Sequence, residues 1–84
     1  MKVKVKYFAV CREMFNRDEE EMELAEGAVL MDILKRLEGE WPEIPEYYQA
    51  MQMSVNWEYA TEQTKLSDGD EIALIPPVTG GIHV

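Results

Sequence analysis

Val29-Leu30-Met31-Asp32-Ile33-Leu34-Lys35-Arg36-Leu37-Glu38-Gly39-Glu40-Trp41 is the stretch with the clearest helical spacing in this sequence. Val29, Leu30, Ile33, Leu34, Leu37 and Trp41 recur at i, i+3 and i+4 intervals, while Asp32, Lys35, Arg36 and Glu38 fall opposite. The spacing predicts an amphipathic helix over 29–41 whose apolar stripe covers the inner face of a sheet. Glu26-Gly27-Ala28 breaks the chain before it. Ala28 or Gly27 then stands at the N-cap, where Ser, Thr or Asp is preferred. Pro42 and Pro45 end the helix and open an irregular connection.

Around this helix the pattern is that of strands. Residues 2–8 alternate, with Val3, Val5 and Tyr7 on one face and Lys2, Lys4 and Lys6 on the other, which predicts a half-buried strand. Phe8 falls on the lysine face. Residues 9–15 have the mixed character of a short helical turn, with Arg12 and Glu13 outward. Asn16-Arg17-Asp18 is a turn signal. Residues 19–25 form a second strand with Met22 and Leu24 inward, making a hairpin with the first. Beyond the helix, residues 46–52 read as a short turn or helix with Tyr47 or Tyr48 packing. Residues 53–56 read as a third strand with Met53 and Val55 inward, Trp57-Glu58 as a tight turn, and 59–61 as a short returning strand. Leu66-Ser67-Asp68-Gly69-Asp70 is a turn with Gly69 available for positive φ. Residues 71–75 are the last strand.

One helix among several strands predicts an α+β fold: a mixed sheet of four to five strands with one main helix packed on one face. The folded domain spans 1–75, and 76–84 form an arm. Pro76 and Pro77 lack backbone N–H groups, so the ladder stops there and the backbone runs on extended. Gly80 and Gly81 carry no side chains, which makes the arm narrow enough for a tight tunnel. By alternation Phe8, Tyr59 and Ile75 lie opposite the core positions. With the first and last strands as neighbours, the three would form one apolar patch for a partner.

Composition excludes several function classes. The chain has 84 residues, enough for one small domain, and a net charge of −9. That charge repels nucleic acid and anionic membranes and favours partners with a basic docking face. Cys11 is the single cysteine, so neither an internal disulfide nor a zinc site forms, and a reducing, cytoplasmic setting is expected. Met1-Lys2-Val3-Lys4 alternates, unlike a secretory signal, and no stretch approaches the ~20 apolar residues of a membrane span. No metal site is expected. Asp18-Glu19-Glu20-Glu21 lacks the spacing and glycine of a calcium loop, and His83 stands alone. Cys11 has no histidine beside it to lower its pKa and reads as a small, partly buried residue.

The element order is that of the β-grasp, or ubiquitin-like, topology, and the motifs go further. Tyr7-Phe8-Ala9-Val10-Cys11-Arg12-Glu13, Val55-Asn56, Leu66-x-Asp68-Gly69-Asp70-Glu71 and Pro76-Pro77-Val78-Thr79-Gly80-Gly81 resemble the small, sulfur-carrying subunits of molybdopterin synthases. Thiamine sulfur carriers share the fold and the Gly-Gly. The resemblance implies a protein that binds no cofactor of its own. A partner adenylating enzyme uses ATP to activate the carboxylate of Gly81, a sulfur donor converts it to a thiocarboxylate, and the large synthase subunit receives the sulfur. It implies partner contacts for Phe8, Arg12, Tyr59, Ile75, Pro76, Pro77, Val78, Thr79 and Gly80. In that family the second glycine is normally last, whereas here Ile82-His83-Val84 follow, so a tail-trimming protease is a third implied partner. Three alternatives stay open. One is a ubiquitin-like modifier conjugated through Gly81. Another is a sulfur carrier for thiamine, tRNA thiolation or cysteine. The last is a non-catalytic β-grasp interaction module.

Overall fold

The computed structural model describes residues 1–75. Its elements are β1 (Lys2–Tyr7), α1 (Ala9–Phe15), β2 (Glu19–Glu23), α2 (Leu30–Glu38), a 3₁₀ turn (Ile44–Tyr47), β3 (Gln52–Val55), β4 (Glu58–Tyr59) and β5 (Glu71–Ile75). The expected arm over 76–84 lies outside the described residues. The five strands form one sheet in the order β2-β1-β5-β3-β4. β1 and β5 pair in parallel at its centre, with Val5 opposite Ile72, and the other pairs are antiparallel. A parallel pair needs a crossover, and the chain between β2 and β3 supplies it through α2. This is the β-grasp arrangement, a mixed sheet with one main helix on one face.

Period-2 patterning builds one wall of the core and period-3.6 patterning the other. Val3, Val5 and Tyr7 of β1 are buried with Ile72 and Leu74 of β5, Met22 of β2 and Met53 of β3. Leu30, Ile33, Leu34 and Leu37 of α2 are fully buried against them. Ala73 is buried too, in the middle of the sheet's outer face.

The boundaries of α2 differ from expectation. Val29 is the N-cap, in extended conformation, and its N–H donates to the Asp32 carboxylate at 2.8 Å. The cap therefore reaches back from the first helical turn, and an acidic group there also suits the helix dipole. α2 stops at Glu38, three residues short of Trp41. Trp41 is nonetheless buried, because Phe15 and Tyr47 flank its ring at centroid distances of 5.9 and 4.9 Å.

Other expectations shift by a residue or two. β2 ends at Glu23, yet Leu24 remains buried and its N–H donates to the Met1 carbonyl at 2.8 Å. The 3₁₀ turn starts at Ile44, earlier than the expected 46–52, since Pro45 suits the first turn of a helix, and it buries Ile44 fully. The hairpin turn after β3 is Asn56-Trp57 instead of Trp57-Glu58. Both residues have positive φ (53° and 65°), and Val55 pairs with Glu58 across it. Residues 9–15 form two full turns of helix, with Arg12 and Glu13 exposed and Cys11 and Phe15 buried.

One polar cluster closes the end of the core. Arg17 donates to Glu20 at 2.7 Å, to Glu40 at 2.9 Å and to the Phe15 carbonyl at 2.8 Å. Its guanidinium lies over the Tyr7 and Phe15 rings. Tyr7 donates its hydroxyl to Glu20. Burial, then the neighbouring Glu20, pushes the phenol's pKa well above its ordinary value.

Candidate functional site

The site is built on the sheet's outer face, at the end where β5 stops. The register places Lys6 beside Ala73, Ala73 beside Ser54, and Ser54 beside Tyr59, so these four form one row across the sheet. The next row holds Ile75 beside Gln52. Phe8 is extended (φ −126°, ψ 154°), and its N–H donates to the Leu74 carbonyl at 3.3 Å. It thus continues the outward alternation of Lys4 and Lys6 into the row of Ile75. Phe8 and Tyr59 are exposed, and Ile75 is half-buried.

The structure brings some of the expected residues together and separates others. Tyr59 and Ile75 line one shallow concavity with Gln52, Met53, Ser54 and Trp57. Phe8 is on the same face but does not line it. Arg12 lies on exposed α1, with its Nε 3.8 Å from the Asp18 carboxylate, and is not part of this concavity. Pro76, Pro77, Val78, Thr79, Gly80 and Gly81 lie outside the described residues. The lysines of β1 are largely balanced: Lys6 meets Glu71 at 3.2 Å and Lys4 meets Glu19 at 3.8 Å.

Trp57 is the residue that sequence reasoning passed over as a turn position. Its side chain is 59% exposed, and Lys6 Nζ lies 5.6 Å from its ring centroid. The available signal was an aromatic following Asn in a two-residue loop, where glycine is the usual occupant.

A side-chain clasp holds the hairpin next to the site. Asn56 donates its amide to Asp70 at 2.9 Å and accepts from the Glu71 N–H at 3.0 Å, while its own N–H donates to the Glu71 carbonyl at 2.7 Å. Asp70 also accepts from Ser67 N–H, and Asp68 from Lys2 N–H. Gly69 sits at φ 88°, as its place in the turn demands. Asn56→Ala removes two of these bonds and puts a less tolerant residue at φ 53°. It should cost about 1–2 kcal/mol in urea denaturation. Asn56→Gly, which accepts that φ, should lose less.

Cys11 is fully buried, and burial pushes its thiol up to about 11, so it is protonated at neutral pH and a poor nucleophile. Among the described residues no group of three or more His, Cys, Asp or Glu is placed to hold a metal ion. No helix among them is long and apolar enough to cross a membrane. The outer face thus carries a shallow concavity lined by uncharged residues, at the end of β5 where the described residues stop.

Residues 5–81 match the ThiS family. The chain belongs to the ThiS family. Its relatives there include two molybdopterin synthase sulfur carrier subunits. That of Chlamydomonas reinhardtii is 39% identical over 83 residues, covering 96% of this chain and all of the relative. That of Mycobacterium tuberculosis is 38% identical over 82 residues, covering 96% and 99%. Solved structures carry the same fold. SAMP1 of Haloferax volcanii has a TM-score of 0.83 at 27% identity, over 96% of this ThiS-family chain and 100% of its own. A putative molybdopterin converting factor subunit 1 of Pyrococcus furiosus has a TM-score of 0.79 at 36% identity, over 93% and 99%. A chain from the complex of subunits 1 and 2 of the Helicobacter pylori molybdopterin-converting factor has a TM-score of 0.60 at 26% identity, over 96% and 100%.

Proposed function

We propose that this ThiS-family chain is the sulfur-carrier subunit of a molybdopterin synthase, carrying sulfur as a thiocarboxylate on Gly81 in the cytoplasm. The observation that carries this reading is the 38–39% identity to two such subunits over nearly the whole chain. A carrier of this kind needs no catalytic side chain of its own, so the buried, protonated Cys11 is given no role in it.

The chemistry explains the division of labour. A carboxylate is a poor electrophile. In this reading a partner adenylating enzyme joins a Gly81 carboxylate oxygen to the α-phosphorus of ATP, and pyrophosphate leaves. Hydrosulfide supplied by a donor then attacks the acyl carbon, and AMP leaves, so the C–O bond to the phosphate is replaced by the C–S bond of the thiocarboxylate. ATP is the partner's substrate and needs no site here. The outer face docks through Phe8, Tyr59 and Ile75, and that binding raises the effective concentration of Gly81 at the partner's centre. Arg12 and residues 76–80 complete the contacts with the adenylating enzyme and the large subunit. That a relative was solved as a complex of subunits 1 and 2 supports a large-subunit partner.

Gly81 must first become a free carboxylate. The family match ends at Gly81, while the sequence runs on through Ile82-His83-Val84. A protease that cuts after Gly81 reconciles the two. A second reading, conjugation of Gly81 to lysines of other proteins, draws on the likeness to SAMP1, whose name denotes a small archaeal modifier protein.

Intact mass of the chain from its native cell tests both. The expected species ends at Gly81 with one oxygen replaced by sulfur. Gly81 joined to lysines of other proteins, with no thiocarboxylate, replaces the first reading by the second. A chain that keeps Ile82 in cells actively making molybdopterin overturns the trimming step.

A further inference from the structure

Trp57 is expensive where it stands. Its φ of 65° lies in the left-handed region, where a bulky side chain is a true outlier. The loop needs positive φ at both central positions, and glycine would satisfy the second without strain. The core does not repay the cost, because the side chain is 59% exposed. Its neighbours are Lys6 on one side and the concavity of Tyr59, Ile75, Ser54 and Gln52 on the other. Strain kept at an exposed residue points to binding.

We propose that Trp57 is a specificity-determining docking residue, whose indole walls a socket for an uncharged aliphatic side chain of the large synthase subunit; this rests on the sulfur-carrier reading above. Two observations choose that occupant. The lining residues carry no charge, and Lys6, beside the Trp57 ring, is already paired with Glu71 at 3.2 Å. An ionic group would find no counter-charge in the lining, whereas an aliphatic one is desolvated against the Trp57 and Tyr59 side chains that line it. Position is the second. Ile75 lines the socket, and Gly81 is six residues further on, at most about 20–22 Å along an extended chain. A protein that takes sulfur from Gly81 therefore works within reach of this socket. Large aromatic side chains at the centre of such contacts carry much of the binding energy.

The experiment measures calorimetric affinity of the Gly81-ending chain for the large subunit, using wild type, Trp57→Gly and Trp57→Phe. Trp57→Gly should weaken binding tenfold or more while its melting temperature stays equal or rises, since the strained φ is relieved. Trp57→Phe keeps a ring and should stay within about threefold of wild type. The loss in Trp57→Gly should be the same in low and high salt, because apolar contacts are not screened. Trp41 is buried, so the difference in tryptophan emission between the wild-type and Trp57→Phe complexes isolates Trp57 and should be blue-shifted relative to the same difference in the free chains. Trp57→Gly binding within twofold of a wild type that does bind overturns the inference and leaves the carrier reading standing. A wild type that fails to bind the large subunit overturns both.

Discussion

On the sulfur-carrier proposal, a chain ending at Gly81 should support ATP–pyrophosphate exchange by a partner adenylating enzyme about 10²-fold or more faster than one that keeps Ile82-His83-Val84. The reason is the identity of the reacting atom. With Ile82 attached, the Gly81 acyl carbon belongs to an amide and offers no carboxylate oxygen to the α-phosphorus. A terminal carboxylate then lies three or more residues beyond Gly81, and each residue adds up to about 3.3–3.6 Å of extended chain. Misplacement of a reacting group by even about 1 Å can cost 10²-fold, so this offset is far outside tolerance. Two β-branched side chains and an imidazole would also have to be accommodated where glycine needs no side-chain space. Removing Gly81 from the shortened chain should abolish exchange and leave the melting temperature unchanged, because the described core runs from Val3 to Leu74. Equal exchange by the long and Gly81-ending chains, in the absence of protease, would show that trimming is unnecessary.

Leu34→Ala should destabilise the domain by about 2–5 kcal/mol through lost burial and the cavity left behind. Leu34 is fully buried on α2, between the helix and the sheet. Small domains have roughly 5–15 kcal/mol in total, so the variant should lose much of its margin. Urea denaturation is the measurement, with a lower midpoint and an unchanged slope expected. Lys35→Ala, one position along on the exposed face, should stay within about 0.5 kcal/mol of wild type. A Leu34→Ala midpoint equal to that of wild type would mean the helix presents a different face to the sheet.

The sequence by itself determined what depends on near neighbours. Val3, Val5 and Tyr7 alternate with lysines, and that alternation alone chooses the buried face of β1. Leu30, Ile33, Leu34 and Leu37 form a stripe at helical spacing, which chooses the buried face of α2. Gly69 within Ser67-Asp68-Gly69-Asp70 announces its turn, and β5 runs over the residues that its β-formers mark. The outward positions of Phe8, Tyr59 and Ile75 follow from the same period-2 rule.

Tertiary structure decided what depends on residues distant in sequence. Trp41 is buried although the helix has ended, because Phe15 and Tyr47 come from other elements to enclose it. Asn56 looks like an ordinary turn residue until β5 brings Asp70 and Glu71 within hydrogen-bonding distance. The hairpin turns at Asn56-Trp57 because Val55 and Glu58 are paired by the sheet, and one residue's difference turns Trp57 from a loop filler into the wall of the concavity. Arg12 shares a motif with Phe8 but lies beside Asp18, since a helix starting at Ala9 carries it off the strand's alternation. In each case the local pattern sets which face a side chain takes, and only cross-strand register and packing set which side chains meet there.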